Sequence, residues 1–181
     1  MAKFNPETIA ELLEDQQQRP PVESWHPELS GDIDIVIRAD GRWFHDGDEI
    51  KRFKLKQLFA SILRREEDGC YYLLTPVEKW RIRVDAHPFI ITDYRVEVQD
   101  EQQCILCIDN VNRKCLLSKQ NPLLLDNKDG ADSLPYIRLD RGLSAQLSRN
   151  VFYHFVELGY EEGGHMCVDS AGDSFILGAL S

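Results

Sequence analysis

Hydrophobic and polar positions alternate early in the chain and then change period. From Gly31 the order is GDIDIVI, with Ile33, Ile35 and Ile37 separated by Asp32, Asp34 and Val36. A repeat of two marks a strand with one dry face. Ala39-Asp40-Gly41-Arg42 supplies a turn, Trp43-Phe44-His45 a returning strand, and Asp46-Gly47-Asp48 a second turn. Over Phe53 to Arg65 the period lengthens. Leu55, Leu58, Phe59, Ile62 and Leu63 form one stripe, which predicts a helix over 53–65 that Gly69 stops. Cys70 to Leu74 and Val77 to Val84 read as two strands broken at Thr75-Pro76. Pro76 cannot donate to a ladder and biases Thr75 to extended backbone.

The second half opens at Asp85-Ala86-His87-Pro88. Ile90, Tyr94, Val96 and Val98 predict one face of a long strand, which turns at Gln99 to Gln102. Cys104 to Ile108 and Lys114 to Leu117 predict a hairpin through Asp109-Asn110. Residues 118–133 are polar and irregular. Pro135 to Leu139 and the alternating Leu143, Ala145 and Leu147 give two more strands. Ser148 is placed to cap a last helix carrying Val151, Phe152, Phe155 and Val156, with Gly159 as its stop. His165 to Val168 and Ser174 to Leu180 close the chain as a hairpin. Near the start, Asn5-Pro6-Glu7 predicts a short helix ahead of a stiff Arg19-Pro20-Pro21 linker.

The two halves rhyme: LKQLFASILRREEDGCYYL resembles LSRNVFYHFVELGYEEGGHMCV in its order of helix, acidic glycine loop and strand. The predicted class is α+β, with two related small lobes of antiparallel sheet plus one helix each. The expected division is an N-terminal helix and linker arm at 1–23, a first lobe at 24–84 and a second at 85–181.

Composition narrows the function classes. The chain has 181 residues, 43% of them hydrophobic, and a formal net charge of −10. Its length can fill one good core or two small ones. The acidic balance disfavours nucleic acid and anionic membranes as partners. No apolar run reaches the roughly 20 residues of a membrane span, and the acidic N-terminus lacks a signal-peptide core, so the expected location is the cytoplasm. Five cysteines without an export signal argue for reduced thiols.

Three constellations could carry chemistry. Cys104-Ile-Leu-Cys107 is a CxxC with Cys115 nearby. In a strand its two side chains point to opposite faces, which suits core packing better than zinc. Asp32 and Asp34, with Asp40, His45, Asp46 and Asp48, offer oxygen ligands to a divalent cation, although hairpin turns favour Asp for backbone reasons as well. Lys51, Arg52, Lys54, Lys56, Arg64 and Arg65, with Lys79, Arg81 and Arg83, form a local basic excess, and no Lys or Arg follows Arg149. That excess suits an anionic ligand, or a solvated surface. No P-loop, GxGxxG, GxSxG or HExxH is present.

Taken together, some motifs resemble a known family. Trp25-His26-Pro27, Gly31-Asp32-Ile33-Asp34-Ile35 and Asp40-Gly41-x-Trp43-x-His45-x-Gly47 come first. LFASILRREEDGCYYL, Thr75-Pro76-Val77-Glu78-Lys79 and Ala86-x-Pro88-Phe89 follow, then Pro135-Tyr136-Ile137 and Gly142-Leu143-x-Ala145-x-Leu147-x-Arg149. The series covers residues 24–160 and is similar to the bacterial family catalogued as domain of unknown function 1285. The resemblance implies two related α+β lobes, the second loosely like a pleckstrin-homology fold. It also implies a ligand site at the lobe interface, for a nucleotide-like molecule, and a signalling role. The pocket residues it implies are Trp25, His26, Thr75, Glu78, Lys79, Tyr136 and Arg149. The chain departs from the family pattern in having Asn121-Pro122-Leu123 where His-Pro-Leu is usual.

Three functions remain open. One is a ligand-binding or sensory protein for a small anionic, nucleotide-like ligand, with no cofactor and no catalytic residue. Another is a scaffold for a protein partner. The last is a metal-assisted enzyme using Asp32 and Asp34.

Overall fold

In the computed structural model, residues 19–126 and 133–181 are described. The helix expected from Asn5 lies outside them, as does part of the irregular stretch 118–133. The chain divides into two units, residues 1–88 with Arg141–Leu143, and residues 89–140 with 144–181.

Strand β1 (Leu29–Ile37) turns back into β2 (Trp43–His45) and β3 (Asp48–Glu49). Asp40 holds the first turn, its carboxylate accepting from Arg42 N at 3.0 Å and Arg42 Nε at 2.7 Å. Helix α1 (Phe53–Ser61) leads into β4 (Leu63–Arg65), β5 (Tyr71–Leu74) and β6 (Lys79–Val84). β6 lies parallel beside β1, so the strand order is β3-β2-β1-β6-β5-β4. The dry face of β1 meets a core in which Trp43 stacks on Phe59 at 6.1 Å between centroids. Each such fully buried side chain contributes about 1.5–3 kcal/mol.

The second unit repeats the plan. Strands β7 (Phe89–Gln99), β8 (Gln102–Asp109), β9 (Lys114–Leu116), β10 (Leu123–Leu124), β11 (Tyr136–Arg138) and β12 (Ser144–Leu147) are ordered β10-β11-β12-β7-β8-β9. Again two three-strand meanders meet where the first and last strands run parallel. Helix α2 (Arg149–Leu158) is capped by Ser148, whose hydroxyl accepts from Val151 N. It leads into a third sheet of β13 (Tyr160–Glu162), β14 (His165–Ser170) and β15 (Asp173–Ala179). In both units, then, one helix feeds a three-strand meander, which is the rhyme visible in the sequence. The class is α+β with two related lobes, each with one α-helix among the described residues, and the strand-rich second unit suits a loosely pleckstrin-homology-like form. Among the described residues no helix is long and apolar enough to cross a membrane.

Four local expectations are corrected. The two six-stranded sheets are mixed, not purely antiparallel, because the last strand of the second meander lies parallel beside the first strand of the first. α1 ends at Ser61, and Leu63–Arg65 is a strand. Ile62 and Leu63 are both fully buried, and an adjacent apolar pair fits either period. Gly69 therefore shapes the β4–β5 turn at φ +80°, and does not end a helix. Finally, Phe89 and Ile91 are the buried residues of β7, whereas Val98 is 74% exposed. An irregularity in register between Ile91 and Asp93 reverses the parity of the strand, so that Tyr94 turns inward onto Phe155, edge to face at 5.3 Å.

Candidate functional site

One face of the first unit's sheet carries a row of opposed charges. It begins with alternation. Asp32 and Asp34 leave β1 on the side away from Ile35, and Arg81 and Arg83 leave β6 on the same side. Parallel pairing sets Asp32 against Arg81. The guanidinium binds both carboxylate oxygens, Nε to Oδ1 at 2.7 Å and Nη2 to Oδ2 at 2.9 Å. This two-pronged bond holds the Asp32 carboxyl below its ordinary range and pushes the Arg81 guanidinium up. Arg83 reaches Asp34 through one bond of 3.2 Å, with its side chain 74% exposed.

The row continues across β5 and β4. Tyr72 faces Arg81, and its hydroxyl donates to Asp68, which pushes the phenol up to about 12 and holds Asp68 down. Lys79 Nζ stands over the Tyr72 ring, 4.5 Å from its centroid, and donates to Glu66 at 2.5 Å. Arg64 donates to the other Glu66 oxygen at 3.0 Å and to the carbonyls of Val22 (2.9 Å) and Trp25 (3.1 Å). Burial pushes the Glu66 carboxyl up, but the Lys79 and Arg64 bonds outweigh it and leave it lowered.

The residues implied by resemblance fall into groups. Trp25 is buried and joins Lys79 through Arg64 and Glu66, while His26 beside it is exposed. Thr75 shapes the β5–β6 turn, where its Oγ1 accepts from Val77 N (3.4 Å) and Glu78 N (3.0 Å). Glu78 in turn accepts from Trp80 Nε1 at 3.4 Å. Tyr136, on β11, and Arg149, the first residue of α2, belong to the second unit. Sequence patterning does not bring Arg64, Glu66, Asp68 and Tyr72 together, because it predicts 64–69 as the end of a helix and its stop. The overlooked signal is the period-two spacing of Arg64 and Glu66 after the apolar Leu63.

Beside the outer pairs lies an open groove of about 790 Å³. Asp32, Asp34, Arg81, Arg83, Cys70 and Tyr71 are among its lining residues. Asp32 and Asp34 each face an arginine, and among the described residues no group of three or more His, Cys, Asp or Glu side chains could hold a metal ion.

Two family models match end to end: the N-terminal domain of domain of unknown function 1285 over residues 20–87 and its C-terminal domain over residues 88–177. The chain belongs to the DUF1285 family. A DUF1285 protein from Silicibacter pomeroyi DSS-3 is 35% identical, with a TM-score of 0.87, over 98% of this chain and 97% of that one. A DUF1285 protein from Shewanella baltica OS155 is 30% identical, with a TM-score of 0.55, over 68% of this chain and 90% of that one. No curated protein matches the chain. For a DUF1285 chain the two matched domains agree with the repeated strand order of the two sheets.

The charge row predicts a pH response. Glu66, Asp32 and Asp68 bind protons more weakly folded than unfolded. Their contribution is complete above the unfolded carboxylate range and is lost as pH falls through and below it. The urea midpoint of the first domain is expected to drop between about pH 6 and about pH 3, and Glu66→Gln to flatten that drop. An equally steep drop in Glu66→Gln would remove Glu66 from the account.

Proposed function

We propose that this protein is a ligand-binding or sensory module whose first domain takes a small anionic ligand, of nucleotide-like chemistry, in the groove beside Arg81 and Arg83. The observation that carries this reading is the asymmetry of the cations. Lys79 and Arg64 are half-buried and committed to Glu66 and backbone carbonyls. Arg83 is exposed and, among the described residues, held by a single bond of 3.2 Å. An incoming phosphate or carboxylate can replace Asp34 as its partner at little cost, since an exposed pair contributes about 0–1 kcal/mol. Tyr71 offers an aromatic flank to the same groove, and no catalytic group is required of it.

Thermal shift with a panel of nucleoside phosphates and small polycarboxylates tests the idea. At a ligand concentration of about 100 Kd, stability should rise by about 2.7 kcal/mol. Arg83→Ala should remove most of that gain while leaving the ligand-free protein within about 1 kcal/mol of wild type. A panel that shifts nothing, or a variant that responds like wild type, would count against the groove.

A further inference from the structure

All five cysteines are free thiols. Two of them meet. On β8 and β9, Cys107 pairs directly with Cys115, which places the two side chains next to each other on one face of the hairpin. Asp109 N donates to Arg113 O at 2.9 Å, and Leu117 N donates to Ile105 O at 3.0 Å. The pair between these rungs is therefore a hydrogen-bonded one, with Cα atoms about 5.5 Å apart. A disulfide spans about 4.4–6.8 Å between Cα atoms. The Cα separation lies within that span, and closing the bridge draws the two Cβ atoms together from the roughly 4.5–5.5 Å of facing residues to the roughly 3.5–4.5 Å of a disulfide, a shift that the edge strand β9 can make.

We propose that Cys107 and Cys115 are a redox-convertible pair, oxidised to an intrachain disulfide by small-molecule disulfides such as oxidised glutathione. The two partners are not equivalent. Cys107 is fully buried in the interior of β8, while Cys115 is half-buried on β9, the edge strand of its sheet. The neighbouring thiol and burial push Cys107 up, so it keeps its proton, while the same neighbour lowers Cys115 toward the thiolate. Asp109 opposes that thiolate and Arg113 supports it, and these two bind each other at 2.9 Å, so neither dominates.

Cys115 is thus the attacking thiolate. It displaces one glutathione thiolate and forms a mixed disulfide. Cys107 then releases its proton and attacks the Cys115 sulfur, expelling the second glutathione as thiolate. Two protein thiols are oxidised, one small-molecule disulfide is reduced to two thiols, and the released proton ends on a leaving thiolate. The product staples the edge strand β9 to β8.

The test incubates the full chain in glutathione buffers of increasing oxidation and maps alkylated peptides by mass spectrometry. The free thiol count should fall from five to three, with a bridged peptide linking Cys107 to Cys115. Cys115→Ser should show no bridge. Cys107→Ala should instead trap Cys115 as a lasting mixed disulfide with glutathione, since nothing remains to resolve it. Cys115 unmodified at a poise that oxidises a free dithiol standard would overturn the proposal. So would a bridge that joins other cysteines. Because the first readout uses the wild-type chain, a misfolded variant does not leave the question open.

Discussion

Gly159→Ala is expected to destabilise the second domain by about 2–3 kcal/mol, a large effect for the addition of one methyl group. The residue ends α2, but its φ of −90° is one that any residue adopts. What forbids a side chain is proximity. A Cβ would stand 2.3 Å from the carbonyl oxygen of Cys167 and 3.1 Å from that of Phe155. Both obstacles are backbone atoms, so no rotamer change relieves them, and α2 must lift from β14 or the strand must bend. Gly178→Ala is the matched control. A Cβ there meets nothing within 4 Å, so a change within about 0.5 kcal/mol is expected. Denaturant midpoints of the two variants decide the matter, and equal midpoints would refute the steric account.

Arg141→Ala should cost the first domain about 3 kcal/mol. The side chain is 3% exposed and reaches four acceptor contacts. Its Nη1 donates to Ser61 O at 2.8 Å, its Nη2 to Pro20 O at 2.7 Å, and its Nε to Glu23 at 2.5 Å. The Glu23 bond counts for little, because that carboxylate is exposed and water replaces the partner. The two carbonyl bonds decide the magnitude: Pro20 O keeps Val22 N at 2.8 Å, but Ser61 O loses this donor, and a hydrogen bond to a charged group contributes about 1.5–3 kcal/mol. Arg141→Lys should recover only part, because an ammonium cannot fork to three partners in fixed directions. The left-handed backbone at Arg141 (φ 57°) adds a second signature. Arg141→Gly should be less damaging than Arg141→Ala, since glycine adopts that φ without strain. If alanine and glycine behave alike, the backbone contributes nothing.

The candidate site was half legible. Asp32 and Asp34 on one strand face, and Arg81 and Arg83 on another, follow from alternation alone. That they form pairs does not, because β1 and β6 are neighbours only after the chain has closed its second meander. In the sequence Lys79 is part of a local basic excess that suits an anionic ligand, and the fold gives it Glu66 as partner. The intervening residues depart from the helical prediction for a physical reason. Ile62-Leu63 satisfies the helical stripe and the strand alternation equally, and only the pairing of β4 with β5 chooses between them. The thiol pair shows the same division. A spacing of CxxC attracts attention to Cys104 and Cys107, yet these point to opposite faces, and the true neighbour of Cys107 is Cys115 across the hairpin.

By itself the sequence determined what local forces determine. Period-two patterning set β1, β6 and β12, Ser148 set the start of α2, and Asp40 and Thr75 set two turns, because each acts within a few residues of itself. The order of helix and acidic loop also exposed the internal repeat before any strand was paired. Tertiary structure decided the rest: the parallel contact at the centre of each sheet, the end of α1, the parity of β7 and the reason for Gly159. These depend on which distant backbone arrives alongside, and hydrophobic periodicity carries no record of the partner.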